Sequence, residues 1–154
     1  MFVVQPLGEA GLDVAAELHG TAFAAMGERG WTRREIAALA ASPGVAGWLL
    51  RKDGQSIGFA LSRVAADEAE LLTIAVDRAH RRQGAGCRLL DSIIEHAKSC
   101  GARSLFLEVA ADNPAALALY GRKGFEEVGK RVAYYGRGQG AKADALILRL
   151  KLGG

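Results

Sequence analysis

The sequence predicts a mixed α/β fold, in which a largely antiparallel central sheet of about six to seven strands is flanked by about four helices. Strand-like and helix-like segments follow one another in the order β-α-α-β-β-β-α-β-α-β-β, which is typical of such a sheet. Half of the 154 residues are hydrophobic and 24 % are charged, as in globular proteins with one buried core. We therefore expect a single domain over residues 1–154.

Local signals define the elements of the first half of the chain. Thr32 precedes an apolar-periodic segment and Glu35 follows three residues later, a pattern that predicts a capping box at a helix start. Asp53-Gly54 between two apolar runs predicts a hairpin turn. The predicted elements are a strand at Phe2–Val4, helices at Leu12–Phe23 and Thr32–Ala41, and strands at Val45–Arg51, Ser56–Val64 and Glu68–Val76.

The second half repeats the alternation with longer helices. Asn113-Pro114 predicts a helix start, because Asn caps well and Pro fits the first turn, and Gly124 predicts the end of that helix. In the middle helix the apolar positions recur at i, i+3 and i+4. The predicted elements are a helix at Gly86–Lys98, a strand at Ser104–Ala110, a helix from Pro114 to Gly124, and strands at Glu126–Tyr135 and Ala143–Lys151.

Composition and charge restrict the kinds of partner. A net charge of +3 suits a polyanionic ligand better than a cationic one. Lys and Arg form no block typical of a nucleic-acid arm, so direct nucleic-acid binding is not expected, although the basic pI of about 9.1 keeps it as an alternative. We see no apolar stretch long enough to cross a bilayer and no signal-peptide pattern, so we expect no membrane partner and a cytoplasmic location.

A Gly-rich loop lies between the strand that ends at Val76 and the long middle helix. It reads Arg-x-x-Gly-x-Gly over Arg81–Gly86. Glycines let backbone N–H groups approach a pyrophosphate, the helix N-terminus adds partial positive charge, and arginines add full charges. The pattern therefore favours phosphate binding; the alternative is a solvated basic loop in front of a helix.

Two other kinds of Gly loop do not fit this segment. A Walker A loop requires Gly-Lys-Ser/Thr, but Cys87 follows Gly86. A dinucleotide-binding Gly-x-Gly-x-x-Gly/Ala loop requires a small third residue, but Leu89 stands there. The loop is therefore expected to bind a phosphate group of another kind of ligand.

Two residues outside the loop are candidates for proton transfer. Glu108 lies inside an apolar strand, where a carboxylate is costly unless it has a function or a partner. The alternative for Glu108 is an ordinary strand residue paired with Lys or Arg. Tyr120 lies about two turns into the helix that Asn113 caps, and its alternative role is a core or interface ring whose hydroxyl has a partner.

Several other motifs do not support chemistry of their own. Gly54–Gly58 spells Gly-x-Ser-x-Gly, but a strand follows it where a nucleophile elbow requires a helix. The three histidines are isolated from one another, so no metal site is expected. Cys87 and Cys100 are thirteen positions apart on one predicted helix, roughly 20 Å, which is too far for a disulfide. An acyl-cysteine route through Cys87, at a helix N-terminus, stays an alternative.

Together these motifs resemble the GNAT acetyltransferases, and most closely the RimI-type N-terminal acetyltransferases of a bacterial ribosomal protein. Their order and spacing along the chain carry the resemblance, which is good over about residues 45–150 and loose before them. The matching segments are Leu72–Asp77, Arg81–Gly86, Leu105–Val109, Asn113, Ala118–Tyr120, Gly124–Phe125 and Tyr134–Tyr135.

The resemblance implies roles for individual residues. It implies Glu108 as general base and Tyr120 as general acid. The residues that it implies for acetyl-CoA are Ile74, Ala75, Val76, Arg81, Arg82, Gln83, Gly84, Ala85, Gly86, Cys87 and Asn113. Trp31, Tyr134 and Tyr135 are candidates for the acceptor site.

The implied activity is transfer of acetyl from acetyl-CoA to the α-amino group of a protein N-terminus, with a ribosomal protein as the acceptor. The amine would attack the thioester directly, and no metal would be needed. An α-amine has a pKa near 8 and a lysine about 10.4, so an N-terminus loses its proton more easily. Two alternatives stay open: a GNAT enzyme that acetylates a small-molecule amine or a lysine, and a CoA-binding module without catalysis.

Overall fold

The computed structural model describes residues 1–25, 27–136 and 142–153 of the chain. Its strands are β1 (Phe2–Pro6), β2 (Val45–Lys52), β3 (Gln55–Ala65), β4 (Glu68–Val76), β5 (Ser104–Ala110), β6 (Glu126–Gly136) and β7 (Lys142–Lys151). Its α-helices are α1 (Leu12–Ala24), α2 (Arg33–Ala40), α3 (Ala85–Ser99) and α4 (Pro114–Arg122). Short 3-10 turns at Glu9–Gly11 and Arg78–His80 precede α1 and follow β4.

The seven strands form one sheet in the order β1-β2-β3-β4-β5-β7-β6. Neighbouring strands are antiparallel except β4 and β5, which are parallel. A parallel pair needs a crossover connection, and α3 supplies it between these two strands. The expected mixed, largely antiparallel sheet with four flanking helices is confirmed.

Each face of the sheet has its own apolar core. On one face of the sheet, which we call the α3 face, α3 and α4 pack against the strands. On the other face, which we call the α1 face, α1 and α2 do so. Burying one Leu or Ile side chain contributes roughly 1.5–3 kcal/mol, so both faces add substantially to stability. Fully buried residues of the α3 face include Leu89, Leu90, Ile93 and Leu105, and those of the α1 face include Ile36, Phe59 and Leu61.

The predicted helix caps form in the structure. The Thr32 side chain accepts from the Glu35 amide at 3.1 Å, and the Thr32 amide donates to the Glu35 carboxylate at 3.0 Å, completing the capping box. Asn113 caps α4 by accepting from the amide of Ala116 at 3.2 Å. Each cap satisfies N–H groups that the helix cannot, and is worth about 1 kcal/mol.

Among the described residues, no helix combines the length and the apolar character that crossing a membrane requires. Within the same residues, no three side chains of metal-ligating type lie together.

Candidate functional site

The candidate site begins where β4 and β5 stop pairing. Their ladder contains only three residue pairs, from Glu68 opposite Ser104 to Glu70 opposite Phe106. Residues 71–76 of β4 and 107–110 of β5 continue without pairing to each other, although β4 keeps its ladder with β3 and β5 keeps its ladder with β7. We call the space between these two segments the β4–β5 gap.

A β-bulge lies next to this point. Leu61 of β3 is opposite Thr73 whereas Ser62 is opposite Leu71, so Leu72 is an extra residue on β4. Bulges re-aim the residues that follow them and often lie beside functional sites.

Beyond the bulge, backbone groups of β4 point into the β4–β5 gap. The amide of Asp77 donates to the carbonyl of Ile57 in β3, with 2.7 Å between the atoms. Backbone groups alternate between the two edges of a strand, so those of Ile74 and Val76 face the gap. Of the candidate cofactor residues on β4, Ile74 and Val76 therefore offer backbone there, whereas the Ala75 side chain is buried in the α1 face core.

The Gly loop, residues 81–87, leads into α3 with an unusual backbone. Arg82 has φ 63° and Gly84 has φ 86°, both in the left-handed region that disfavours side chains with a Cβ. The left-handed residue in front of a right-handed helix turns successive N–H groups toward one concave side. The N-cap residue of α3 is Gly84, which has no side chain to cap the helix, so the described residues show no side-chain cap for its first amides.

Close packing requires the second glycine of the loop. A Cβ on Gly86 would lie 3.2 Å from Cδ2 of Leu119 in α4, tighter than ordinary van der Waals contact. The absence of a side chain therefore lets the start of α3 approach α4, while nothing lies within 4 Å of a Cβ built on Gly84. The loop thus has open space at Gly84 and tight packing at Gly86.

Positive charge surrounds the Gly loop. Arg81 and Arg82 are exposed, and Lys52 of β2 donates to Oε1 of Gln83 at 2.7 Å. The Lys52 ammonium also lies 5.6 Å from the centre of the Phe2 ring. Helix start and cations together favour an anion at this position.

Glu108 lies on β5 just beyond the last pair with β4. Its Oε1 is 3.1 Å from a terminal guanidinium nitrogen of Arg131 in β6, and the carboxylate side chain is 31 % exposed. The alternative raised by the sequence, a strand carboxylate paired with a cation, is thus present in the structure. Partial exposure beside the gap also leaves Glu108 accessible to a ligand.

Tyr120 lies in α4 and is only 5 % exposed. Its ring meets Phe125 edge-on, with 5.6 Å between the ring centres. The ring is therefore part of the α3 face core, which is the alternative role that the sequence left open for Tyr120. This packing fixes the direction of its side chain. The adjoining candidate Asn113 uses its side-chain oxygen for the α4 cap.

The three candidate acceptor residues differ in their surroundings. Trp31 packs against the α1 face core and stacks on the buried ring of His19 at 4.5 Å. Tyr134 is 54 % exposed, and its ring centre lies 5.3 Å from the guanidinium carbon of Arg131. The side chain of Tyr135 lies outside the described residues. The structure thus brings Tyr134 near Glu108 through Arg131, and gives Trp31 a packing role.

A buried hydroxyl on β4 lacks a partner within the described part of the chain. Thr73 is 6 % exposed, and its Oγ1 makes no hydrogen bond there. Leaving a buried hydroxyl unpaired costs about 1–3 kcal/mol. Thr73 is next to the bulge where the β4–β5 gap begins, and it is opposite Leu61 of β3.

A pocket of about 440 Å³ lies between α1 and the residues that connect β4 to the Gly loop. Its lining includes residues of α1 together with Val76, Asp77, Arg78 and Arg81. It adjoins the candidate phosphate site but contains neither of the two proton-transfer candidates.

Arg131, Lys52 and Thr73 were not among the residues that the sequence predicted for the site. Arg131 is separated from Glu108 by 23 positions (131 − 108), and only the strand order places β6 next to β7 and β7 next to β5. Lys52 and Gln83 are 31 positions apart. The only local signal was for Thr73, a polar residue in an otherwise apolar strand run.

Comparison with known proteins decides the family. The profile of the Acetyltransferase (GNAT) family matches residues 13–125. The chain belongs to this family. As a GNAT protein it is an N-acetyltransferase, and the acetyl donor of the family is acetyl-CoA.

Individual relatives are consistent with this assignment. The chain is 42 % identical over 103 residues to the [Ribosomal protein bS18]-alanine N-acetyltransferase of Escherichia coli strain K12, covering 67 % of this chain and 69 % of that protein. The crystal structure of the ribosomal-protein-S18-alanine N-acetyltransferase from Escherichia coli has a TM-score of 0.90 at 33 % identity, covering 100 % of this chain and 96 % of that one.

A more distant structure shares the fold alone. That of yncA from Salmonella typhimurium with its cofactor acetyl-CoA has a TM-score of 0.85 at 19 % identity, covering 99 % of this GNAT chain and 94 % of that chain.

Proposed function

We propose that this GNAT protein acetylates the α-amino group of a protein N-terminus, with a ribosomal protein as its acceptor. The observation that carries acetyl transfer is the early end of the β4–β5 ladder, beside an uncapped, positively surrounded helix start. The likeness over most of the chain to enzymes named for the alanine terminus of ribosomal protein bS18 supports the acceptor. Such an acceptor implies a cytoplasmic reaction.

The Gly loop is proposed to bind the diphosphate of acetyl-CoA. The open amides of Ala85, Gly86 and Cys87 would donate to phosphate oxygens, and Arg81 and Arg82 would add charge. Inward-facing backbone at Ile74 and Val76 would hydrogen-bond the pantetheine arm, because those groups have no neighbouring strand on that edge. The acetyl group would then lie in the β4–β5 gap.

Direct attack is the mechanism that these residues support. The lone pair of a neutral amine attacks the thioester carbonyl carbon, and the carbon–sulfur bond breaks as the tetrahedral intermediate collapses. Glu108 takes the proton from the attacking nitrogen, and Tyr120 gives one to the departing thiolate. The inward amide at Ile74 would stabilise the oxyanion. The products are an N-acetyl amide and free CoA.

A comparison of three acceptors, each assayed separately, tests this function. The purified protein is supplied with acetyl-CoA and one of three acceptors: a lysine-free peptide with an N-terminal alanine, an N-blocked peptide with one lysine, and a polyamine. Released CoA and the mass of the product are measured. We expect the first peptide to react with the highest kcat/KM. Preference for the lysine peptide or the polyamine would assign the chain to the other GNAT acceptor class.

A null result would separate catalysis from binding. If acetyl-CoA binds by calorimetry and none of the acceptors is acetylated, the chain is a CoA-binding module, and the transferase proposal is wrong.

A further inference from the structure

The ion pair between Glu108 and Arg131 spans the neighbouring strand. Glu108 is opposite Ile147 of β7, and Ile147 is opposite Gly129 of β6. Arg131 lies two residues beyond Gly129 in a regular stretch, so it projects from the same face of the sheet. Its guanidinium therefore crosses β7 to reach Oε1 of Glu108, 3.1 Å away.

Arg131 makes a second contact, with the ring of Tyr134. The guanidinium carbon is 5.3 Å from the centre of the Tyr134 ring, within the range of a cation–π contact. Just before Tyr134 the register of β6 shifts, and Ala133 takes φ 52° while its amide donates to Asp144 at 2.7 Å. The Tyr134 ring follows this irregular backbone, and the Arg131 cation thus has two partners, Glu108 and Tyr134.

This arrangement changes the charge that an incoming amine meets. A lone carboxylate would attract any ammonium ion, but the charge of Glu108 is already balanced by Arg131. Lys130 is opposite Leu146 and so projects from the other face of β6, and Asp144, which alternates with Ala145, starts from that same other face of β7. Arg131 is therefore the cation that offsets the charge of Glu108 on this face of the sheet.

Protonation differs strongly between the two main classes of acceptor. With a pKa of about 7.8, an α-amine is about one-third neutral at pH 7.5, whereas a lysine with a pKa of about 10.4 is about 0.1 % neutral. A site without net attraction for cations favours the acceptor that arrives neutral.

We infer that Arg131 is a specificity-determining residue: by occupying the cation-binding side of Glu108, it favours α-amines over lysine side chains as acceptors. The inference rests on the proposed function. Arg131 does not take part in bond making. It determines whether a neutral or a protonated amine is favoured beside Glu108.

The test compares acceptor selectivity in charge variants. Arg131→Met keeps an apolar stem under Tyr134 without the charge, Arg131→Gln is a second neutral variant, and Arg131→Lys restores the charge. Each is assayed at pH 7.5 with the N-terminal alanine peptide and the N-blocked lysine peptide. The selectivity is the kcat/KM for the alanine peptide divided by the kcat/KM for the lysine peptide. In both neutral variants we expect this ratio to fall about fivefold, chiefly through a lower KM for the lysine peptide.

Controls separate this effect from general changes of charge or stability. Lys130→Met removes a cation from the same strand but from the other face, and should leave the ratio unchanged. Arg131→Lys should restore most of the selectivity, which a purely structural role in folding would not predict. Thermal melting identifies any variant that fails to fold, and the remaining neutral variant then decides.

Two results would overturn the inference alone: an unchanged ratio in a folded neutral variant, or an equal change in Lys130→Met. A wild-type protein that does not acetylate the α-amine peptide would instead overturn the proposed function, and the inference with it.

Discussion

The backbone N–H of Trp31 donates a hydrogen bond to Nδ1 of His19, with 2.9 Å between the two nitrogens. The His19 ring is fully buried and stacks on Phe23 at 3.9 Å and on Trp31 at 4.5 Å. Because Nδ1 accepts, the neutral ring carries its proton on Nε2. One uncharged histidine in α1 therefore holds the segment that leads into α2.

This contact predicts a loss of stability in mild acid. Burial lowers the pKa of His19 from 6.5 to about 4, an effect that Glu35 opposes and Arg29 reinforces. The unfolded chain binds a proton near pH 6.5, but the native state binds it only near pH 4. The free energy of unfolding should therefore be highest above pH 6.5 and fall by up to about 3 kcal/mol toward pH 4. Urea unfolding from pH 8 to pH 4 measures this.

His19→Phe provides the comparison. The variant keeps an aromatic ring between its neighbours but leaves the Trp31 amide without its acceptor, so it should be less stable at pH 8 by about 1–2 kcal/mol. Its stability should then depend much less on pH between 6.5 and 4. Glu35 has its pKa lowered to about 2, mainly by hydrogen bonding to Arg29, so its contribution is lost at lower pH. An unchanged slope in His19→Phe would assign the effect to another group.

Features with local signals could be predicted from the sequence. The capping box at Thr32, the Asn113 cap and the Gly loop each depend on residues within a few positions of one another, and each forms where the pattern places it. Local rules work here because the relevant hydrogen bonds close within one helical turn.

Features that depend on strand order could not be predicted. The Glu108–Arg131 pair exists because β7 inserts between β5 and β6, a pairing between distant parts of the chain. The end of the β4–β5 ladder also has no local sequence signature, since a strand reads the same whether or not its edge is paired. The sequence thus predicted candidate residues for the chemistry, but not which residues lie together.

Gly84→Ala should weaken acetyl-CoA binding beyond its effect on stability. Gly84 has φ 86°, and Gly101 at the other end of α3 has φ 84°; a Cβ on either would have nothing within 4 Å. Both substitutions to Ala should therefore lower stability by a similar amount, about 1 kcal/mol. Only Gly84→Ala places a methyl group at the Gly loop, and we expect its Kd for acetyl-CoA to rise about tenfold.

Calorimetric titration of both variants with acetyl-CoA checks this difference. Equal affinities in Gly84→Ala and Gly101→Ala would mean that the loop does not contact the diphosphate.

Glu108→Gln should reduce turnover while leaving acetyl-CoA binding intact. The amide cannot accept the proton of the attacking amine, so kcat/KM for the alanine peptide should fall by about 10²–10⁴. Steady-state CoA release measures this loss. Glu126→Gln on β6 removes an exposed carboxylate of the same chemical kind and should retain full activity. A Glu108→Gln variant as active as that control would show that another group takes the proton.

Tyr120→Phe should lower kcat without lowering the affinity for acetyl-CoA. The substitution preserves the edge-on ring contact with Phe125, so the core changes little. Loss of the hydroxyl should slow release of the thiolate, with kcat reduced about a hundredfold. Single-turnover kinetics with the alanine peptide isolate this step from product release. If kcat is unchanged while the melting temperature falls, Tyr120 is only a core residue.

Thr73→Val should keep or raise the stability of the protein but lower its acetyl-transfer activity. The Oγ1 atom of Thr73 is buried without a partner in the described part of the chain, so an isosteric methyl should leave the free energy of unfolding unchanged or raise it by about 1 kcal/mol. The hydroxyl lies where the β4–β5 gap begins, and its working partner is expected to be a bound substrate or a water held with it. Acetyl transfer should then fall about tenfold, the loss of one hydrogen bond.

Thr73→Ser tests whether the hydroxyl is responsible. It removes a methyl group but keeps the oxygen, so it should be slightly less stable than the wild type and close to it in kcat/KM. Denaturant unfolding and CoA release on the same preparations give both quantities. If Val at this position stabilises the protein without loss of turnover, the buried hydroxyl serves no bound group, and the acetyl-transfer path does not pass beside it.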